Sequence, residues 1–360
     1  MDIPAMLFAK TGTVFSWGYN YHGQLGDSTT GDKWAPVRVR TIRNITQIAA
    51  GSDNGYALKI DGTVYAWGYD NDGRCGSGAV TLRRTLPIQV VGQYASTFLE
   101  DIIQITAGNA HVLALTQSKH VYAWGAGSNG RIGDGANTNR TRPVYVTDVG
   151  VQILQNVEEV ESNRASSYAI KTDGSVWAWG YNNYGQLAVG DKVNKTRAVQ
   201  IKGPLGQGNF EDPITIGAGV HHMTIANREG RVYAIGYNGY GQIGDGTTVN
   251  KDVLVPISME QVTFNSSLVR FNAIGEQFQI EAHVDLGFNL VKNELENATY
   301  TYRSRDTSIA WVSPTGNVTA VKYGRTEIMV TNVETGRTGF VEIVVLMPGA
   351  ITLPKVGSRI

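Results

Sequence analysis

One short phrase recurs five times along this chain, and its spacing limits the fold more than any other feature of the sequence. Trp-Gly stands at Trp17-Gly18, Trp67-Gly68, Trp124-Gly125 and Trp179-Gly180, with Ile235-Gly236 as a fifth copy, at steps of 50, 57, 55 and 56 residues. Six residues after each Trp or Ile235 comes Gly23, Gly73, Gly130, Gly185 or Gly241. Two further on sits Leu25, Cys75, Ile132, Leu187 or Ile243, followed by Gly26, Gly76, Gly133, Ala188 or Gly244. Upstream, Gly12, Gly62, Gly174 and Gly230 lie five residues before the Trp or Ile, with Lys119 in the third copy. Asp-Gly, Thr-Gly and Glu-Gly pairs between β-rich runs read as tight hairpin turns. Each unit then reads as four short strands, as in "ITQIAAG", "YALKI", "TVYAWG" and "LPIQVV" of the second copy. Four strands in a repeat of about 50 residues is the form of a β-propeller blade, and the chain reads as all-β.

These residues, with the upstream strands "AGNAHVLAL" (107–115) and "AGVHHMTI" (218–225), resemble the regulator-of-chromosome-condensation repeat. The resemblance covers the propeller span, taken as residues 1–258, and implies a β-propeller. Members of that family usually carry seven blades, whereas five copies are legible here. The first copy lacks its opening strand, because Met1 falls where the Ala-Gly glycine is expected. The segment "MEQVTF" (259–264) is similar to "ITQIAA" and fits either of two places: the missing first strand of a closed five-bladed ring, or the first strand of the next domain.

From residue 259 to 347 the repeat stops and apolar and polar residues alternate at period two, which reads as a β-sandwich. Ser304, Ser308, Ile309, Ala310, Val312, Gly316, Val318, Ala320, Val321, Gly324, Ile328 and Val330 give this run its resemblance to a bacterial immunoglobulin-like domain of the second type. Gly316 and Gly324 are expected at positive φ. Trp311 occupies a slot that is usually small or polar. Residues 348–360, "PGAITLPKVGSRI", read as an extended tail.

Composition removes several function classes. Lys+Arg and Asp+Glu balance at 31 each, so no basic excess marks nucleic acid or an anionic membrane as a partner. No apolar run is long enough to span a bilayer as a helix. The N-terminal "MDIPAMLFAKTG" has neither the basic start nor the apolar stretch of a signal peptide. Cys75 is the only cysteine, which excludes an intrachain disulfide and a Cys-based zinc site.

Little in the sequence calls for catalysis. His221-His222 lacks acidic partners at ligand spacing, and His222 shares its repeat slot with His111, so both read as architecture. "DNDGRCGSG" (70–78) lacks the acidic twelfth position of a calcium loop and reads as a turn. No nucleophile elbow, phosphate loop or zinc-protease motif is present. We therefore expect no enzyme, no cofactor and no metal.

The recognition candidates are positional. Tyr19, Tyr69, Tyr181 and Tyr237 follow the Trp or Ile by two residues, with Ala126 breaking the set, and Tyr21, His22, Tyr184 and Tyr240 decorate the same loops. Equivalent repeat positions sit at equivalent heights, so these side chains either circle one face or pack between blades. Tyrosine supplies large contact area at small entropic cost. Trp17, Trp67, Trp124 and Trp179, with the glycines of the repeat, read as structural.

The functional expectation is a non-enzymatic recognition protein on an exterior surface. A bacteriophage virion component (tail, baseplate or capsid decoration) is favoured, with the propeller exposed and the Ig-like domain or tail anchoring it. Its partners would be proteins of that assembly, or a host surface protein or glycan, and a homo-oligomer is compatible with the sequence. The alternative is a secreted bacterial adhesion or protein-inhibitor module. The family's archetypal GTPase exchange activity is disfavoured, since no basic arm is evident.

Overall fold

The computed structural model describes residues 5–94, 97–228, 230–257, 261–285, 299–333 and 338–347. The chain divides into two compact units, Met1–Ile257 and Ser258–Ile360. In the first, blades 2 to 5 are four-stranded antiparallel sheets whose strands lie side by side in chain order. They comprise Ile45–Ala50, Asn54–Lys59, Val64–Tyr69 and Arg83–Gln89; then Ile102–Ala107, His111–Thr116, Val121–Gly125 and Arg140–Tyr145. Val157–Ser162, Ser166–Lys171, Val176–Gly180 and Lys195–Gln200 form blade 4, and Pro213–Ala218, His222–Asn227, Val232–Gly236 and Lys251–Pro256 form blade 5. Blade 1 has three strands, Ala5–Phe8, Val14–Gly18 and Lys33–Arg38, and lacks the innermost one.

The Trp-Gly signature is a β-bulge. In blade 2 the third strand pairs Ala66 with Ile88 and then Gly68 with Arg84, so Trp67 alone faces three residues, 85–87, and the surplus lies on the fourth strand; the same register break occurs in the other four blades. A bulge of this kind bends the strand and needs a residue tolerant of positive φ. Gly68 supplies it at φ +102°, where a Cβ would lie 2.1 Å from the Asp53 carbonyl oxygen.

The bulge turns each Trp toward the preceding blade, and the apolar cores lie between blades rather than within them. Trp124, for example, packs with Tyr56, Cys75 and Val90 of blade 2 and with Ile102, Ile105 and Val112 of its own blade. The indole N–H groups of Trp67, Trp124 and Trp179 donate to the carbonyls of Gln24, Arg74 and Arg131, at 2.9, 3.0 and 3.0 Å. Each indole also lies over the glycine two residues beyond that carbonyl: a Cβ on Gly26, Gly76 or Gly133 would stand 2.7–3.0 Å from the indole nitrogen. At the fourth junction both partners change together. Ile235 replaces the Trp, Ala188 replaces the glycine, and the two share one core.

A second device is a buried side chain three residues after the Trp or Ile. Asn20, Asp70, Asn182 and Asn238 are fully buried, and each accepts the backbone N–H of the apolar residue five positions on, at 2.9–3.0 Å. Asp70 also pairs with Arg84 at 3.1 Å. The "DNDGRCGSG" loop is thus a turn, held by the Asp70 side chain.

The junction between blades 5 and 1 is not packed like the other four. A Cβ on Gly185 would meet Asp252 of the next blade at 2.5 Å, whereas one on Gly241 meets only its own blade at 3.9 Å and one on Gly246 meets nothing. Across the gap Leu7 and Phe8 are exposed and Trp17 is only half-buried. Of the two places open to "MEQVTF", its described part, 261–264, takes the one in the next domain rather than the one that would close a five-bladed ring. Gln261–Phe264 pairs antiparallel with Ala282–Asp285 in the second unit, because its alternating residues find a partner strand there and Val262 enters that unit's core.

The second unit is a sandwich. Leu268–Phe271, Thr338–Val345, Gly324–Asn332 and Tyr300–Ser304 form one sheet, with the first pair parallel, and Gln277–Gln279, Asn317–Ala320 and Ala310–Val312 form another. Phe271, Ile280, Ala310, Val318, Ile328, Val330, Val341 and Ile343 fill the space between them. Gly316 and Gly324 have φ of +87° and +152°, and Trp311 is about half exposed, pointing away from the core. The tail at 348–360 lies outside the described residues.

Candidate functional site

The loops that follow the bulges gather at one end of the blades, and the eight aromatic candidates lie on them. They form two strings rather than a continuous circle. Tyr19 stacks on Tyr21 (6.5 Å between centroids, 18° between planes), Tyr21 meets His22 edge-on at 4.9 Å, and His22 meets Tyr69 at 4.7 Å across the junction of blades 1 and 2. The second string crosses from blade 4 to blade 5: Tyr181 to Tyr184 at 6.1 Å, Tyr184 to Tyr237 at 5.0 Å, and Tyr237 to Tyr240 at 6.1 Å. Blade 3 interrupts them with Ala126.

Exposure separates the eight. Tyr240 (88%) and Tyr21 (58%) stand out into solvent, and Tyr19 is at 37%. His22, Tyr69, Tyr181, Tyr184 and Tyr237 are half-buried and fill the seams between blades. Contact surface and seam are therefore one continuous structure, and only Tyr21 and Tyr240 are mainly available for contact.

Between the strings, at blades 2 to 5, opens a cavity of about 570 Å³ whose lining includes Asp72, Arg74, Arg131, Arg164 and His221. The sequence pattern explains why arginines project there. The residue after Gly23, Gly73, Gly130, Gly185 or Gly241 is Gln24, Arg74, Arg131, Gln186 or Gln242. Each glutamine folds back, its side-chain oxygen accepting the N–H of His22, Tyr184 or Tyr240 at 2.8–3.1 Å. Arginine has no acceptor and cannot make that bond, so its guanidinium extends.

Arg74 is neutralised by Asp72 at 2.8 Å and Asp53 at 3.7 Å, and it lies 4.7 Å over the Tyr69 ring. Arg131, almost entirely buried, bonds only to the carbonyl and hydroxyl of Ser128, both at 2.8 Å. Arg164 meets His221 at 3.3 Å. Neither Arg131 nor Arg164 makes an ion pair among the described residues. Burial, and then the neighbouring Arg74, press the Arg131 pKa down; the Asp72 carboxylate opposes them in part and Arg164 adds to them. Burial first and Arg164 next lower that of His221, which is thereby kept neutral.

His111 is architectural in its contacts. It is fully buried, its Nε2 is 2.9 Å from the Ser167 hydroxyl, and burial lowers its pKa to about 3. No group of three or more His, Cys, Asp or Glu side chains is placed to hold a metal among the described residues. Reasoning from sequence missed the arginine cavity. The signal was present as two arginines in a slot that is otherwise glutamine, but Arg164 comes from a slot with no constant residue.

Comparison with known proteins places these features in a wider set. Residues 4–285 match the model of the RCC1-like domain, and residues 291–339 match that of the bacterial Ig-like domain (group 2). The ultraviolet-B receptor UVR8 of Arabidopsis thaliana is 28% identical over 255 residues, 70% of this chain and 55% of the receptor. The human E3 ubiquitin-protein ligase HERC2 is 28% identical over 242 residues, 66% of this chain but 5% of the ligase. The chain thus spans about half of the first relative and a small part of the second. Among solved structures, human WBSCR16 aligns with a TM-score of 0.61 at 21% identity, covering 71% of this chain and 65% of that one. Yeast RCC1 (Prp20), solved bound to Kap60, aligns with a TM-score of 0.57 at 22% identity, covering 74% and 63%.

Proposed function

Because this chain belongs to the RCC1-like domain family and continues into a group-2 bacterial Ig-like domain, we propose that it is a non-enzymatic recognition module whose propeller binds a protein through the loop face carrying Tyr21 and Tyr240. The observation that carries this reading is the face itself. Exposed Tyr240 ends one packed aromatic string and exposed Tyr21 is held between Tyr19 and His22 in the other, so their rings are presented on a rigid base at little entropic cost. The yeast relative of the same fold is solved with Kap60, a protein partner.

The Ig-like domain supports a finer reading. A bacterial-type domain joined to a propeller of balanced charge fits display on an exterior surface, and we place the protein on a bacteriophage virion, with the secreted adhesion or inhibitor module as the competing assignment. Mass spectrometry of density-purified particles tests the location. Stoichiometric amounts in the particle fraction support the virion, and recovery only in a cell-surface or particle-free fraction rejects it. Capture of the partner by the immobilised full chain tests recognition. The double substitution Tyr21→Ala, Tyr240→Ala should abolish capture without shifting Tm, and undiminished capture would refute the face.

A further inference from the structure

The cavity between the two aromatic strings holds more positive charge than the fold needs. Arg74 has two aspartates, whereas Arg131 and Arg164 have none among the described residues, and Arg131 is buried at the cavity wall. A buried guanidinium without a carboxylate is costly unless a ligand completes it. The loop does not require an arginine, since blades 1, 4 and 5 build it with glutamine, and the Trp179 indole bonds the Arg131 backbone carbonyl rather than its side chain.

We propose that this cavity is a carboxylate-binding pocket for an acidic peptide segment of the partner, with Arg131 and Arg164 as the binding cations. This rests on the recognition function proposed above. Guanidinium groups match carboxylates through paired N–H donors, and Arg131 retains Nη1 free of any bond among the described residues. A sugar ligand fits less well. Stacking on a ring requires an open aromatic face, yet Tyr184 is packed against His221 at 5.2 Å and Tyr237 at 5.0 Å, and the Tyr69 face is covered by Arg74. Asn109, Asn129 and Asn139 on the same wall can bond the peptide backbone beside the acid.

The test uses the full chain and three probes: hexaglutamate and hexaglutamine, both with blocked ends, and inorganic phosphate. Arg131→Gln and Arg164→Asn are the variants. Glutamine is native to the Arg131 slot in three blades, and asparagine (Asn109) fills the Arg164 slot in blade 3, so both should fold. Hexaglutamate should bind saturably and hexaglutamine should not. Each variant should weaken hexaglutamate binding tenfold or more, with Tm unchanged or raised because an uncompensated buried charge is gone. Absence of saturable hexaglutamate binding, or an affinity in both variants equal to that of the parent, overturns the pocket. Phosphate binding as tight as hexaglutamate overturns the peptide assignment. If hexaglutamate binding fails while capture sensitive to Tyr21→Ala, Tyr240→Ala persists, the pocket falls and the recognition face stands.

Discussion

The indole N–H of Trp179 donates to the carbonyl of Arg131 in the preceding blade at 3.0 Å, and the same ring covers Gly133. Bond and contact together make each junction a lock whose two halves lie 46 residues apart here, from 133 to 179. Trp179→Ala should destabilise the propeller by roughly 3–5 kcal/mol, the usual cost of emptying a buried aromatic site. Gly133→Ala alone should also destabilise, since its Cβ would press on the indole. The pair Trp179→Ile with Gly133→Ala reproduces Ile235 and Ala188 of the fourth junction, and should cost less than the sum of the singles. Chemical denaturation of the parent, Trp179→Ile, Gly133→Ala and their double variant in a double-mutant cycle checks this.

His111 sets an acid limit. Its pKa is about 3 in the fold and near 6.5 when unfolded, so the unfolded chain takes up a proton first as pH falls. The contribution is fully present above pH 6.5 and is lost progressively toward pH 3. His111→Asn places in blade 3 the residue that blade 2 has at Asn54, and should flatten the decline of Tm in that window.

Glu161 acts with the opposite sign. Burial, and then repulsion from Glu159, raise its pKa to about 7 from an unfolded value of 4.5. The folded state therefore holds a proton that the unfolded state has released, and stability falls as pH rises from 4.5 through 7. Glu161→Gln should remove this slope and raise Tm at pH 8 while leaving it unchanged at pH 4. A Tm profile identical to that of the parent would refute the assignment.

Cys75 reports opening of the second junction. It is fully buried, and burial followed by the Asp70 charge pushes its thiol pKa well up, so the reactive thiolate is suppressed twice over. A thiol reagent should leave the native protein unlabelled over hours and modify it fully in denaturant. Trp124→Ala, which opens the same core, should accelerate native-state labelling at least tenfold.

The repeat made the blades legible because each copy must satisfy the same bulge, the same buried acceptor and the same junction. Trp67, Gly73 and Asn238 are fixed by local geometry that a linear pattern records. The cavity was legible only in part. Arg74 and Arg131 depart from glutamine in a recognisable slot, but their convergence with Arg164 depends on blades brought together in space. Tyr184 and Tyr240 are both two residues before that slot, yet Tyr184 sits in a seam against His221 of the next blade while Tyr240, on the last blade, is exposed. "MEQVTF" has a period-two pattern that suits either domain, and only its hydrogen-bonding partner decides between them.

The exchange of Trp for Ile235 has a mechanical consequence. Junctions 1–2, 2–3 and 3–4 each carry a buried indole bond that must break before the blades part, whereas at 4–5 the Gln186 carbonyl is taken by Tyr168 of its own blade. Along the chain, blade 5 is also the blade directly followed by the Ig-like unit. Tension applied through that unit reaches first the junction without an indole latch, so blade 5 yields as a tether while the arginine-lined wall of blades 2 to 4 keeps its shape.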